Sequence, residues 1–413
     1  MAPTGAGRRP LSAAATLDFR RMKQRQGWVS AEQKVEEEEG DYFVFPRERL
    51  GNQYPLNYAI NSHKIVPTGD AYRNLHARGL VMLASGKLDG NKALVVKSSP
   101  AVPEMAFRTF KRADEEFHRL LRDVRIYFSE AAEIFVHDGD LGAERSSAVS
   151  VRLFSDNAAT ALWAHHMLCP VALQDPRSRQ AKLAVYVLTH LNTPAFVALD
   201  PDSGVAILNN VDDSSTLQAA LLQLAQSFSP DFVMPDSFSL TLPASVFSPA
   251  PGKSDLLFHQ GPGALPPFSE LASSGFSLWN SRGLSRVFDG FQDPAPAATL
   301  PHALVETSAK AQRLMTARLR SKLGNILPHP SRTIFVTSSD AQPGLGSLNP
   351  DQTLQLAAAH NPLVADALKQ VPVPGFILNT NKTTTPQQVS DLLRKTQAPP
   401  AAPPAWIKTL IRK

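Results

Sequence analysis

The order of apolar and polar positions along the chain predicts strands alternating with helices. Short apolar runs at 134–136, 149–154, 184–188, 195–199, 255–258, 333–337 and 375–378 read as strands, and so do the apolar tetrads at 80–83 and 93–96. Amphipathic stretches predict helices over 113–128, 304–322, 350–359 and 386–395. Such a mixture makes the chain an α/β protein. Around it the pattern separates four sections: an N-terminal extension at 1–56, a first domain at 57–225, a second at 226–395, and a tail at 396–413. The extension carries a solvated acidic run, Glu36 to Glu39, and an aromatic patch of Tyr42, Phe43 and Phe45, so it reads as an arm. The tail is Pro-rich from Ala398 to Pro404 and ends in a short amphipathic stretch from Trp406.

Composition sharpens this picture in three ways. At 413 residues and 43% hydrophobic, the chain can bury a sizeable core and is long enough for two domains. Its 34 prolines outnumber its 22 glycines, which fits a folded body with Pro-rich connections. The single cysteine, Cys169, excludes an internal disulfide framework and a cysteine-based zinc cluster. No unbroken apolar run approaches the ~18 residues that a membrane-spanning helix needs, so a soluble or peripheral protein is expected.

The formal charge of +5 is unevenly distributed. Residues 1–31 hold Arg8, Arg9, Arg20, Arg21, Lys23 and Arg25 against Asp18 alone, a net +5. Residues 394–413 hold Arg394, Lys395, Lys408, Arg412 and Lys413 with no acid, another +5, which leaves the body between them at −5. Two basic ends on a mildly acidic body suit contacts with RNA phosphates, anionic lipid or acidic protein subunits. The first thirty residues are also Arg-rich, Ala/Ser-containing and acid-poor, in the manner of a mitochondrial transit peptide.

Chemical motifs are sparse. His165, His166 and Cys169 lie close in sequence, but adjacent histidines on a helix face different directions, and no second ligand pair stands nearby. No G-x-S-x-G elbow marks a serine hydrolase. The loop from Gln260 to Phe268 follows the strand at 255–259, where an α/β fold places a phosphate loop. Such a loop needs free backbone N–H groups and a lysine, and this one has Pro262, Pro266 and Pro267.

That segment, K-S-D-L-L-F-H-Q-G-P-G-A-L-P-P-F at 253–268, resembles the strand and kinase loop of the ATP-dependent phosphoenolpyruvate carboxykinases, an apolar run followed by G-x-S-G-T-G-K-T-T. Flanking segments agree in order. Upstream, A-E-I-F-V-H-D-G-D-L-G at 132–142, S-V-R-L at 150–153 and A-H-H-M-L-C-P at 164–170 resemble the family's F-V-x-D-G-x-x-G, its V-R-V strand and the helix that follows. Downstream, H-P-S-R-T-I-F-V-T-S-S-D-A at 329–341 and G-S-L-N-P-D-Q at 346–352 resemble H-P-x-x-V-I-F-L-T-x-D-A and x-S-x-L-T-P-E-Q. The stretches at 362–369, 376–380 (F-I-L-N-T) and 389–394 resemble the family's closing helix, its Y-L-V-N-T strand and its last helix. The similarity spans roughly residues 75–395 and implies a two-domain carboxykinase-like fold with mixed sheets, shortened, in which 226–395 is a degenerate nucleotide-binding-like domain.

The departures fall on the residues that the resemblance would make reactive. The phosphate-binding lysine matches Pro266 and its metal-binding neighbour Pro267; the carboxylate-binding arginine falls at about 88–92, where no arginine stands. The paired lysines fall at about Gln218 and Ala219, and the metal-ligand histidine at about Ala244. The D-D motif for the second metal has no counterpart between Ser269 and Phe288. Neither a Lewis acid nor a clamp for phosphoryl transfer is then provided. The expectation is a catalytically dead pseudoenzyme with a degenerate P-loop: no catalytic, cofactor-binding or metal residues, no cofactor, and no small-molecule substrate. Its expected role is as a structural subunit of a large mitochondrial complex, either the ribosome or a respiratory or ATP-synthase complex. Its partners would be protein subunits, with rRNA or anionic lipid under the basic tails. Two alternatives remain open: a module that senses an anion through Arg152 or Lys92, and an active carboxykinase whose motifs lie elsewhere.

Overall fold

A computed structural model describes residues 48–50, 60, 62–97, 106–111, 114–144, 148–171, 181–189, 193–211, 213–232, 239–248, 252–258, 271–273, 276–280, 282–293, 302–307, 312–316, 326–338, 343–360, 362–381 and 384–394. The basic ends at 1–31 and 395–413, the acidic run and the loop at 260–268 with Pro266 and Pro267 lie outside the described residues.

The fold is α/β, built on four sheets. The largest has eight strands in the order β1 (Glu48–Leu50), β2 (Asp70–Arg73), β6 (Glu133–Leu141), β7 (Val149–Ser155), β8 (Leu183–Leu188), β10 (Val205–Asn209), β9 (Phe196–Asp200) and β5 (Phe107–Thr109). It is mixed: β7, β8 and β10 run parallel, whereas β6 is antiparallel to β7 and β9 to β10. A six-stranded mixed sheet follows in the order β14 (Leu271–Ser273), β12 (Ala244–Phe247), β13 (Asp255–Phe258), β20 (Arg332–Ser338), β22 (Gly375–Thr380) and β21 (Gly344–Ser347). A five-stranded sheet joins β17 (Phe291–Asp293), β19 (Gln312–Thr316) and β18 (Leu304–Thr307) to β4 (Leu94–Lys97) and β3 (Lys87–Leu88) from far earlier in the chain. Strands β11 (Ser239–Leu242), β15 (Ser277–Asn280) and β16 (Gly283–Arg286) make a small antiparallel sheet.

Both faces of the eight-stranded sheet are covered, which is why its central strands β7 and β8 are buried at every position rather than at alternate ones. One face takes α1 (Ala77–Leu83), α3 (Ala158–Met167) and α4 (Ser214–Phe232). The other takes α2 (Glu115–Glu130), whose buried Phe117, Leu121, Val124 and Phe128 form one helical stripe. Asp114 caps that helix by accepting from the backbone N–H groups of Glu116 at 2.9 Å and Phe117 at 3.4 Å. Around the six-stranded sheet, α5 (Pro350–His360) and α6 (Pro362–Gln370) pack on the face of Phe258 and Phe335, and α7 (Pro386–Arg394) inserts Val389 and Leu393 on the opposite face.

Two expected elements are corrected. The tetrad at 80–83 belongs to helix α1, where Leu80 and Val81 are buried; a short apolar run fits either periodicity, and here its packing against α3 decides. Within the expected helix at 304–322, the described residues 304–307 and 312–316 are instead the paired antiparallel strands β18 and β19. The first of these pairs in parallel with β4, Leu304 opposite Leu94, so that Val305 is buried with Ala93 and Ala303. Strand pairing with a distant segment overrides local helix propensity at this point.

Candidate functional site

The motif F-V-H-D-G-D-L-G forms strand β6, and its parts have structural duties. Asp138 lies opposite Arg152 of β7 in the antiparallel register. Its Oδ1 accepts from Arg152 Nε at 2.7 Å, and its Oδ2 from Arg73 Nε at 2.9 Å and Arg73 Nη2 at 2.6 Å. Asn74 clasps the same residue, accepting the Asp138 backbone N–H at 2.7 Å. Burial pushes the Asp138 carboxyl up, but the guanidiniums of Arg152 and Arg73 outweigh it and hold the group below the usual carboxylate range. A Cβ at Gly139 would stand 2.5 Å from Leu168 Cβ, so glycine is what lets the end of α3 press onto the strand. Gly142, with φ of +103°, turns the chain where a side chain would be strained.

Beside this network, His63 Nδ1 meets the Tyr186 hydroxyl at 2.9 Å. Burial, with the nearby charges of Arg152 and Arg125, lowers the His63 pKa to about 3, so the ring is neutral at pH 7. The Arg152 guanidinium, which the anion-sensing alternative would use for its ligand, is bonded instead to the Asp138 carboxylate. Lys92, the other cation proposed for an anion, is exposed in the turn between β3 and β4 at φ of +65°. The structure does not bring the two together around one cavity.

His165, His166 and Cys169 do not converge either. His166 Nε2 donates to the His302 carbonyl at 2.9 Å, the His165 and His166 ring centroids stand 5.5 Å apart, and the Cys169 thiol lies 3.7 Å from the Val287 carbonyl. Burial lowers the His165 pKa to about 3 and raises that of Cys169 to about 12. Among the described residues, no group of three or more histidine, cysteine or acidic side chains is placed to hold a metal ion. The positions matched to the family's reactive groups do not fit its metal or its phosphates: Ala244 is buried in β12 opposite Phe258, offering a methyl where a metal needs a donor. Gln218 is buried and Ala219 exposed on α4.

The best-formed cavity, about 410 Å³, was not foreseen from the sequence. It lies beyond the carboxyl ends of the parallel strands β7 and β10, where α3 and α4 begin, and the hairpin of β3 and β4 closes it. Asn157 caps α3 by accepting from Ala159 N–H at 2.9 Å, and Asp213 accepts from Thr216 N–H at 2.8 Å at the head of α4. The exposed Lys87 and Lys97 flank the opening, and the lining includes Trp163, 2% exposed, whose indole Nε1 has no hydrogen-bond partner. Lys87 and Lys97 bring two positive charges to the lining and Asp213 one negative, while Asn157 and Asp213 cap the two helix N-termini. No family model matches the chain, and no curated protein matches it.

Proposed function

We propose that this chain is a non-catalytic relative of the ATP-dependent phosphoenolpyruvate carboxykinases, with their two-domain fold, acting as a structural subunit of a larger mitochondrial assembly. The observation that carries the reading is the division between framework and chemistry. The D-G and V-R motifs sit in adjacent buried strands joined by the Asp138 to Arg152 ion pair, 2.7 Å long, while Ala244 and Gln218, matched to reactive positions, are packed as core. Pro266 and Pro267 remove the lysine, the hydroxyl and two backbone donors from the phosphate loop. Restoring them by Pro266→Lys and Pro267→Thr is expected to leave the protein inactive, because catalytic groups that act as a unit are strongly non-additive.

The basic ends, each net +5, supply attraction to an acidic or anionic neighbour, and Trp406, Ile407, Leu410 and Ile411 add apolar surface to bury. The ribosome fits through rRNA, and a respiratory or ATP-synthase complex through acidic subunits and anionic lipid. Native purification on an affinity tag tests this. The chain is expected to migrate with a stable set of other subunits and to leave them on deletion of 1–31 or 398–413, more readily at high salt. A chain that purifies alone, or truncations that stay fully associated at high salt, would contradict it.

The cavity favours one second reading, retention of a small anion site with Lys87 and Lys97 at its mouth. In that case oxaloacetate raises the melting temperature of the protein, and Lys87→Ala abolishes the rise.

A further inference from the structure

The outer face of α2 carries a feature that neither the tails nor the cavity explains. Between this helix and the segment at 64–66 runs an open groove of about 540 Å³, lined by Lys64, His118, Arg122, Arg125, Ile126, Ser129 and Glu130. Two of its cations, Lys64 and Arg122, are exposed, while Arg125 is half-buried. Lys64 stands at φ of +60°, between His63, anchored on Tyr186, and the fully buried Ile65. Arg122 and Arg125 are one turn apart on the helix, and Arg125 is steadied by a hydrogen bond to Tyr186. Neither Lys64 nor Arg122 has an ion-pair partner among the described residues, and Arg125 Nε is buried without an acceptor. One carboxylate, Glu130, faces three permanent cations.

Apolar surface lies at the same place. Among the described residues the exposed large hydrophobics are Val66, Leu88 and Ile126; Ile126, 52% exposed, lines this groove, and Val66, 42% exposed, adjoins it through its backbone. The Val66 N–H donates to Ser129 Oγ at 3.0 Å, and Ile126 lies one turn before Ser129 on the helix. Single-stranded nucleic acid is held by aromatic planes on which bases stack. This groove offers aliphatic side chains instead, whose fit is to another protein's leucine or valine.

We propose that this groove is a docking surface for an acidic, partly apolar segment of a partner protein, its carboxylates meeting Lys64 and Arg122 and its aliphatic side chains covering Ile126 and the adjoining Val66. The proposal rests on the structural-subunit reading only for the existence of a partner. Its test does not depend on that reading: the purified full-length chain is titrated into a fluorescein-labelled peptide of sequence EELLEELLEELL, with a peptide of twelve glutamates and a twelve-nucleotide single-stranded RNA as comparisons. The mixed peptide is expected to bind more tightly than the glutamate peptide and the RNA. Its affinity should fall about tenfold or more in Lys64→Ser with Arg122→Ser, and again in Ile126→Ser, as expected when charged and apolar anchors of an interface are removed. Arg119→Ser, on the same helix but outside the groove, should leave it unchanged. All four are exposed positions, and unchanged circular dichroism confirms folding. Equal affinity of the variants and the parent, tighter binding of the RNA that is lost in the same variants, or equal binding of the glutamate peptide would overturn the proposal. Failure of the subunit reading would look different: the mixed peptide would bind, but the native chain would purify alone.

Discussion

Each of the two large sheets pairs an aspartate with an arginine on the neighbouring strand, in very different surroundings. In the eight-stranded sheet, Asp138 is enclosed by two guanidiniums, and the side chains of Arg73, Arg152 and Asp138 are 1%, 1% and 5% exposed. In the six-stranded sheet, Asp255 at the start of β13 meets Arg332 at the start of β20, and the arginine side chain is 17% exposed. Arg332 also donates to the Leu393 carbonyl at 2.8 Å and lies 5.7 Å from the centre of the Phe376 ring, so it ties α7 to the sheet rim. A charge that loses its partner at the rim can turn to water. One that loses its partner at the centre of a sheet cannot, and so the first network is where the fold is least tolerant of change.

The largest effect is therefore expected at Asp138. Asp138→Ala leaves two buried guanidiniums without their carboxylate and should cost at least about 3–5 kcal/mol in urea-induced unfolding. A loss comparable to that of a surface pair would mean that water reaches the network. Phe335→Ala probes the second sheet by another route. Phe335 is 2% exposed and stacked on Phe258 with ring centroids 5.3 Å apart, so emptying its site should cost about 3–5 kcal/mol. A change under ~1 kcal/mol would show the strand to be misplaced. Asp255→Ala should lie below both, at about 1.5–3 kcal/mol, because the Arg332 side chain it leaves behind is 17% exposed and keeps its bond to the Leu393 carbonyl. If it matched Asp138→Ala, the contrast between centre and rim would fail.

The smallest effect at neutral pH concerns His63. Its pKa falls from 6.5 unfolded to about 3 folded, so below pH 6.5 the unfolded chain takes up a proton that the folded chain refuses. Stability drops as the pH falls from 6.5 towards 3, and His63→Gln should make that decline shallower without abolishing it. His137, lowered to about 4, and His165, lowered to about 3, act in the same direction. Asp138 adds to the loss at the acid end, since its contribution is present above the ordinary carboxylate value and disappears as pH falls through its lower folded value. Equal slopes for parent and variant would contradict the burial of His63.

Regular elements bounded by clear apolar periodicity were legible in the sequence. The strand at 255–258 coincides with β13, and the apolar stripe of 117, 121, 124 and 128 marks α2. Segments whose state depends on a distant partner were not: β18 takes its conformation from β4, roughly two hundred residues earlier in the chain, and no local pattern at 304–322 carries that information. The Asp138 network left a trace that was open to reading, since a charged residue inside an apolar run, as in V-S-V-R-L-F at 149–154, implies a buried counter-charge. The cavity left none, because Lys87, Asn157, Trp163 and Asp213 come from four separate segments and meet only through the fold.

The claim that the carboxykinase framework persists without its chemistry meets its most direct test in a turnover assay. Purified full-length protein is incubated with ATP, oxaloacetate and Mn²⁺, and phosphoenolpyruvate and ADP are measured. The account predicts neither product above the protein-free background and no rise in melting temperature with ATP and Mn²⁺. Turnover that is lost on a single substitution between Gln260 and Phe268 would contradict it.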